Sequence, residues 1–318
     1  MFPSYFILLL TILIFINMKY FIFLAVFCLL AVSCSNENED KVMNQQALVP
    51  VTVSVNDFSI TQGEFPDAPG GTQSTTRATA VGSYNGIKAV TLAFYSGSSE
   101  VYKTTQLKSD ESTYTTFGNF SLSLPVGSYT LVVIGYGLYD DDEFILTSPT
   151  QAGFTGDVRE TFVATQNVSI TDNSAVNLSV TLNRVITKLK VVSTDGKAAN
   201  VAKVRMTFAA GNKSFSPQSG LATVNTGSAS TVSNSSPVGE TSSSVGYVFL
   251  ATDEQTMDVT IETLDAGGNT IYSTVVNDVT FKRNRCTTLS GSLYPTAGVA
   301  SSFQVNTSWL DEEDPINF

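Results

Sequence analysis

The chain has 318 residues, no histidine, and 28 acidic against 17 basic residues, a net charge of −11. Without histidine there is no Ser-His-Asp or Cys-His nucleophilic pair, no imidazole acid–base chemistry and no His-based zinc site. The negative charge argues against nucleic acid and anionic membrane surfaces as partners, because both would repel it.

Met1–Asn17 (MFPSYFILLLTILIFIN) is apolar and uncharged. Met18–Cys34 (MKYFIFLAVFCLLAVSC) then reads as a complete secretory signal: Lys19 at the front, an apolar run over Tyr20–Val32, and Ala31-Val32-Ser33 leading to Cys34. A charged segment belongs at the front of such a signal, so 1–17 is expected to be a start-site extension and 1–33 the signal peptide. Joined, the two apolar runs exceed the about 20 residues that span a bilayer, so an uncut anchor helix is a competing reading, as is an ordinary signal peptide. A cysteine directly after the small residues matches a bacterial lipobox, in which Cys34 carries the lipid. Ala31 stands where that pattern prefers leucine.

Removing 1–33 takes one charged residue, Lys19, and leaves 285 residues with 16 basic against 28 acidic, or −12. That length suits two domains of about 100–200 residues each. Cys28 leaves with the signal and Cys34 is acylated, so Cys286 is the one thiol left and no disulfide forms within the mature chain. Cys286 is read as a small buried hydrophobe.

Residues 34–49 read as a lipidated, flexible tether, polar and acidic from Ser35 to Gln46. Val51, Val53 and Val55 alternate with Thr52 and Ser54, a half-buried strand that ends near Ile60. Thr61–Tyr84 carries the Pro, Gly, Ser and Thr of a long loop, with Arg77 inside it. Strands follow at Ile87–Tyr95, at 118–136 as a hairpin turning at Pro125-Val126-Gly127-Ser128, and at Val158–Val163, Val168–Ile170 and Val176–Leu182.

A second set opens at Val185–Val192, with Val204, Met206 and Phe208 alternating after it. Ser214–Glu240 is a polar excursion with little sign of a core. Met257, Val259 and Ile261 run into the loop Asp265–Asn269, and Ile271–Val276, Val279–Phe281 and Leu289–Tyr294 follow. Phe303, Val305, Thr307 and Trp309 alternate in a last strand. No long segment has helical spacing. Short strands between turn signals predict an all-β fold of two tandem β-sandwich domains, 50–183 and 184–318, with no sequence repeat between them.

Chemistry-bearing clusters are sparse. Asp140–Glu143 lacks the DxDxDG spacing of a calcium loop and reads as a solvated charge run. No two carboxylates are paired by the sequence as a glycosidase would need. Tyr136, Tyr139 and Trp309 could stack on sugars, but such residues more often cap a sandwich edge. No metal site, cofactor or catalytic residue is predicted, and no enzyme. Arg77–Ala78 is the sharper feature: one isolated basic residue in a loop, open to a protease with an arginine pocket. Cutting there would free the Val51–Ile60 strand and leave an apolar groove with unpaired backbone groups. The alternating strand Phe303, Val305, Thr307 and Trp309 of another chain could fill it as a donor strand.

Several stretches together resemble the fimbrillin-like lipoproteins, pilus subunits and associated adhesins of Gram-negative gut and oral bacteria. They are the lipobox at Cys34, the acidic run Ser35–Asp40, TTRATA at 75–80, LPVGSYTLVVIGYG at 124–137, LNRVITKLKVVST at 182–194, and FKRNRCTTLSGSLY with the terminal Trp segment, 281–309. The resemblance covers nearly all of 34–318. It implies transthyretin-like sandwiches, export as a lipoprotein to the outer membrane and cell surface, trimming at Arg77–Ala78, and a donor segment at 297–309. It also implies other pilus subunits, the same or related chains, as partners, with a host protein or glycan as a further target. Anchor members of that family keep their lipid and first strand. A displaceable edge strand at Val51–Ile60 would therefore favour polymerisation, and a central one anchorage. The competing reading is a surface glycan-binding lipoprotein of a nutrient-uptake system.

If the lipobox reading holds, mass spectrometry of protein purified from its membrane will find Cys34 as an acylated N-terminus. A mature chain that retains residues 1–33 would overturn it.

Overall fold

The strand-rich pattern yields nineteen β-strands and two short 3-10 turns among the described residues of this computed structural model, which are 47–61, 76–138, 143–171, 174–295 and 303–306. The fold is all-β, as expected. The strands up to residue 184 are β1 (Leu48–Thr61), β2 (Thr76–Ala80), β3 (Ala89–Ser96), β4 (Ser99–Leu107), β5 (Asn119–Pro125), β6 (Gly127–Tyr136), β7 (Phe144–Ser148), β8 (Gln151–Phe154), β9 (Thr161–Ile170) and β10 (Val176–Arg184). Those after it are β11 (Thr187–Ser193), β12 (Lys203–Phe208), β13 (Ser214–Phe215), β14 (Ser228–Ser233), β15 (Ser243–Val248), β16 (Glu254–Leu264), β17 (Thr270–Lys282), β18 (Cys286–Gly291) and β19 (Phe303–Asn306).

The first half has two layers. Strands run in the order β4-β3-β6-β9 in one and β5-β1-β10 in the other, joined where Asn183 and Arg184 of β10 pair with Val163 and Phe162 of β9. Between the layers lies a core of Val51, Val53 and Val55 from β1, Leu92 and Phe94 from β3, Leu131 and Val133 from β6, and Phe162 from β9. The second half repeats this connectivity. Its layers are β14-β12-β16-β17 and β15-β11-β18, β11 lying parallel to β18 as β1 lies parallel to β10. Leu189, Met206, Phe208, Ile261, Phe281 and Leu289 fill its core. Among the described residues β19 has no counterpart in the first half: it adds antiparallel to the outer edge of β18.

The apolar run Leu131–Tyr136 in β6 explains why the halves are fused. A strand buried on one face alternates, whereas one buried on both reads as continuous apolar sequence. Val132, Ile134 and Tyr136 point away from the first core, as do Ala89, Ala93 and Tyr95 of β3. A third layer, β7-β8-β13, covers them, with Val185, Ile186 and Phe249. That small sheet pairs Ser214 and Phe215 of β13 with Gly153 and Ala152 of β8, across the boundary expected at 183/184. Gly153 is required there, since a Cβ would sit 2.8 Å from the Lys213 carbonyl. Phe215 stacks on Phe249 at 4.2 Å. The described residues accordingly belong to one compact unit, 46–318.

Three expectations change. The stretch 118–136 is not a hairpin: β5 pairs with β1, while β6 pairs with β3 and β9. The Pro125 turn carries the chain between layers, because β6 has two apolar faces to bury and β5 has one. Residues 161–163 and 168–170 belong to one strand, β9, and 158–160 precede it outside any strand. Ser214–Glu240 does contribute to the core, through the fully buried Phe215.

Tyr95 is fully buried and its hydroxyl meets no hydrogen-bond partner among the described residues. Burial, with a smaller push from Glu100, raises its phenol to about 12. Replacing it, Tyr95→Phe, should raise stability at pH 7 by about 1–3 kcal/mol, read from urea midpoints, because an unsatisfied buried hydroxyl is removed. The folded value lies above the about 10 of an unfolded tyrosine, so the wild type loses stability as pH rises through that interval. The variant should lose less over the same range.

Candidate strand-exchange site

The sequence LVPVTVSV makes β1 a strand for two reasons: β-branched residues suit extended backbone, and every second one is apolar. Val49, Val51, Val53 and Val55 are all buried, Val53 completely. Burying each is worth roughly 1.5–3 kcal/mol, so the stripe is a substantial part of what closes the first core. Its neighbours are apolar on both sides. Val51 pairs with Leu122 of β5 and Val176 of β10, Val53 with Phe120 and Leu178, and Val55 with Val180. Val55 N–H donates to the Gly118 carbonyl at 3.0 Å. A bulge at Asn56 then shifts the register, and its side chain donates to Ser179 Oγ at 2.6 Å.

So β1 is an internal strand. Its antiparallel neighbour on one edge is β5 as far as Ser54 and then β2 from Asp57 onwards, while β10 runs along the other edge to Ser59. This is the central placement, which favours anchorage over ready displacement. The loop expected to hold Arg77 is a strand at that point. Arg77 pairs with Ile60 and Ala78 with Ser59. Beyond the end of β5, the edge of β1 would otherwise carry unpaired backbone groups, and β2 satisfies them. TRATA has no apolar alternation, so its pairing is dictated by β1 and not by its own pattern.

A polar network fixes the end of the site. Arg184 Nη2 lies 2.6 Å from Glu160 Oε1, both side chains being about nine-tenths buried. Tyr84 Oη donates to the same carboxylate oxygen at 2.6 Å, and Arg184 Nη1 donates to Asn284 Oδ1 at 3.3 Å. The guanidinium also sits 4.9 Å over the Phe162 ring. These groups pin β10 to β9 where the two layers join. Only the charge of Glu160 and Arg184 was visible in the sequence, and nothing in their spacing linked them.

The other expected residues are scattered. Phe303 is half-buried against the second core, and Val305 is 44% exposed on β19, where it pairs with Leu289. Thr307 and Trp309 lie outside the described residues, as do Cys34, Tyr139 and Asp140–Asp142. Tyr136 is core: it stacks on Phe144 at 4.1 Å, its hydroxyl lies 3.1 Å from Thr91 Oγ1, and burial pushes its phenol upward. It offers no platform for a sugar. Cys286 is half-buried at the start of β18, where full burial was expected. Among the described residues, no three His, Cys, Asp or Glu side chains are placed to hold a metal.

A family model described as a family of unknown function (DUF6562) matches residues 55–315. Among curated proteins none matches the chain. Similar solved structures include a candidate adhesin from Bacteroides ovatus, at 13% identity and a TM-score of 0.47, covering 86% of this chain and 99% of that one. They also include a candidate polysaccharide-binding protein (DUF1812) from Bacteroides thetaiotaomicron, at 11% and 0.44, covering 83% and 99%. A third is the fimbrial anchor protein Mfa2 from Porphyromonas gingivalis, at 12% and 0.43, covering 83% and 99%. The adhesin and the fimbrial anchor are of the class that the sequence resembles. At these identities and scores the likenesses carry no functional argument.

The site's energetics can be tested at its centre. Val53→Asp would bury a carboxylate between Phe120 and Leu178 and should destabilise the protein by several kcal/mol. Asn56→Ala, at the exposed bulge, should change stability by about 0.5 kcal/mol or less. Paired urea titrations check both, and equal effects would contradict a closed β1 slot.

Proposed function

We propose that this chain, which belongs to the family of unknown function DUF6562, is a structural pilus subunit or cell-surface adhesin without enzymatic activity. One observation carries the reading: the first core is closed by a strand, β1, whose covalent link to the rest of the body passes through a single basic residue, Arg77. The family resemblance at 75–80, 124–137 and 182–194 supports it. In this reading the chain is exported as a lipoprotein through Cys34 and held at the outer membrane, facing outward. Untrimmed, it keeps β1 in an internal position and is an anchor-like form. Cleavage of Arg77–Ala78 would release β1 and part of β2 as a noncovalent segment. Its departure would leave β5 and β10 with unpaired edges and the core open where the four valines sat.

The segment Phe303, Val305, Thr307 and Trp309 has the same every-second-residue spacing as Val49, Val51, Val53 and Val55. A donor strand of that kind, from the same or a related subunit, would restore both the apolar stripe and the backbone pairing. In the free chain part of that segment is already docked on β18, so donation requires it to leave its own body.

Limited digestion with an Arg-specific protease should cut once, at Arg77, and produce concentration-dependent multimers on size exclusion. Arg77→Ala should prevent both. A nicked protein that remains monomeric would remove the shaft role and leave the anchor role. Cleavage first at Arg159, Arg205 or Arg283 would sink the trimming reading.

A further inference from the structure

We infer that Asn85 is a site of spontaneous covalent ageing: in the folded protein its side-chain amide is attacked by the Gly86 nitrogen, and the isoaspartate that results loosens the joint between β9 and β10. The first step is a ring closure. The Gly86 backbone nitrogen bonds to Asn85 Cγ and gives up its proton, and the Asn85 amide nitrogen leaves with that proton as ammonia. A succinimide remains. Water then opens the ring at either carbonyl, giving aspartate or isoaspartate, and no oxidant or other reactant is needed. Asparagine counts among the thermolabile residues because of such chemistry.

Asn85-Gly86 is the one Asn-Gly pair in the sequence. A residue with a side chain shields its own backbone nitrogen, whereas glycine leaves it open to close approach. Asn85 is exposed, in a turn between the 3-10 turn Val81–Ser83 and β3, and no strand ladder fixes either residue. Among the described residues no hydrogen bond engages the Asn85 amide or the Gly86 N–H. Asn234-Ser235 is the opposite case. Asn234 is buried, its amide donates to Tyr294 Oη at 2.6 Å, and its Oδ1 accepts from Ser236 N–H at 3.3 Å. Its carboxamide is held where it stands.

Packing is what keeps the labile pair. A Cβ on residue 86 would lie 2.3 Å from Glu160 Oε2 and 2.6 Å from Tyr84 Cε1, so glycine alone fits. Tyr84 and Gly86 thus flank Asn85 and both lie against Glu160, the carboxylate that holds Arg184. The Tyr84 ring also meets Phe162 edge-on at 5.7 Å. In isoaspartate the main chain runs through the former side-chain carbon, which adds an atom to the link between residues 85 and 86. Two residues fitted to one carboxylate cannot both keep their places when that link lengthens. The new charge is easier to accommodate. Lys108 Nζ donates to the Tyr84 carbonyl at 3.0 Å, and burial, then Lys88, push its ammonium below the ordinary lysine range. A carboxylate one residue along the chain from that carbonyl is a favourable neighbour for it.

The test incubates the purified protein and a synthetic peptide of residues 78–88 side by side in warm, mildly alkaline buffer until half of the peptide has converted. Cleavage after Arg77 and Lys88 releases the same stretch from the protein, with Asn85 its one asparagine. Mass spectrometry, set against an unincubated sample, should find Asn85 converted at a rate within an order of magnitude of the free peptide's. Isoaspartyl methyltransferase should label that stretch, and Asn85→Gln should abolish the label. The converted fraction, separated by its added charge, should unfold at a lower urea concentration than the Asn85→Asp variant. That variant carries the charge on a normal backbone and should match the wild type. Slower conversion in the folded protein, or a label that survives Asn85→Gln, would overturn the modification site. A converted fraction with the same midpoint as Asn85→Asp would overturn the loosening of the joint.

Discussion

The structure depends on covering one stripe of four valines. Val49, Val51, Val53 and Val55 sit on an N-terminal strand, yet they form the middle of a core to which β3, β5, β6, β9 and β10 all contribute. A sheet layer is stable only when its apolar face meets another, so the β5-β1-β10 layer and the β4-β3-β6-β9 layer exist by virtue of each other. The parallel contact between β1 and β10 joins the first strand of this half to its last. Parallel pairing requires a long connection, and here the connection is the rest of the half.

The same solution appears again with different residues. Val191 and Leu189 of β11 take the place of the β1 valines, and β18 takes that of β10. The difference lies in how the leading strand is attached. β11 follows β10 directly through Val185 and Ile186, which are themselves buried in the layer between the halves. β1 instead precedes a long excursion and is held at its far end by the five-residue strand β2. The second core is therefore locked by its own chain at both ends, while the first depends on a strand that one cut would detach. The cluster of Tyr95, Ile134, Phe215 and Phe249 buried between the halves takes no residue from β1.

Much of this was legible locally. The alternations at 51–55, 120–124, 204–208 and 257–261 each mark a strand with one face in a core, while 90–94 lies in a strand buried on both faces. What alternation does not carry is partnership. Pro125–Ser128 has the chemistry of a tight turn whether the next strand pairs with the last or crosses to the other layer. That choice follows from the two-sided burial of β6, a long-range fact. β2 and β4 were missed because TRATA and SEVYKTTQL are mostly polar edge segments, placed by backbone pairing. Phe215 was hidden among serines and prolines, since one large side chain makes no period. The shared connectivity of the halves was invisible for a related reason: equal topology needs equal burial patterns, not equal residues.

The slot also constrains what could replace β1. Four valines leave cavities of nearly uniform size, and packed cores tolerate volume-conserving exchanges far better than enlargement, which costs about 1–3 kcal/mol per overpacked site. A donor with Phe303 and Trp309 at the ends of its stripe is larger than β1 there and matches it only at Val305. Room exists beside the middle of the stripe: Leu122 and Val176 beside Val51 and Leu178 beside Val53 are only half-buried, whereas Leu124 beside Val49 and Val180 beside Val55 are buried. An exchange that sets the smaller residues against Leu124 and Val180 and the larger ones against Leu122, Val176 and Leu178 would keep the closely packed part of the core nearly unchanged. The order of side chains along the donor, more than its overall hydrophobicity, then decides which chains can complete this one.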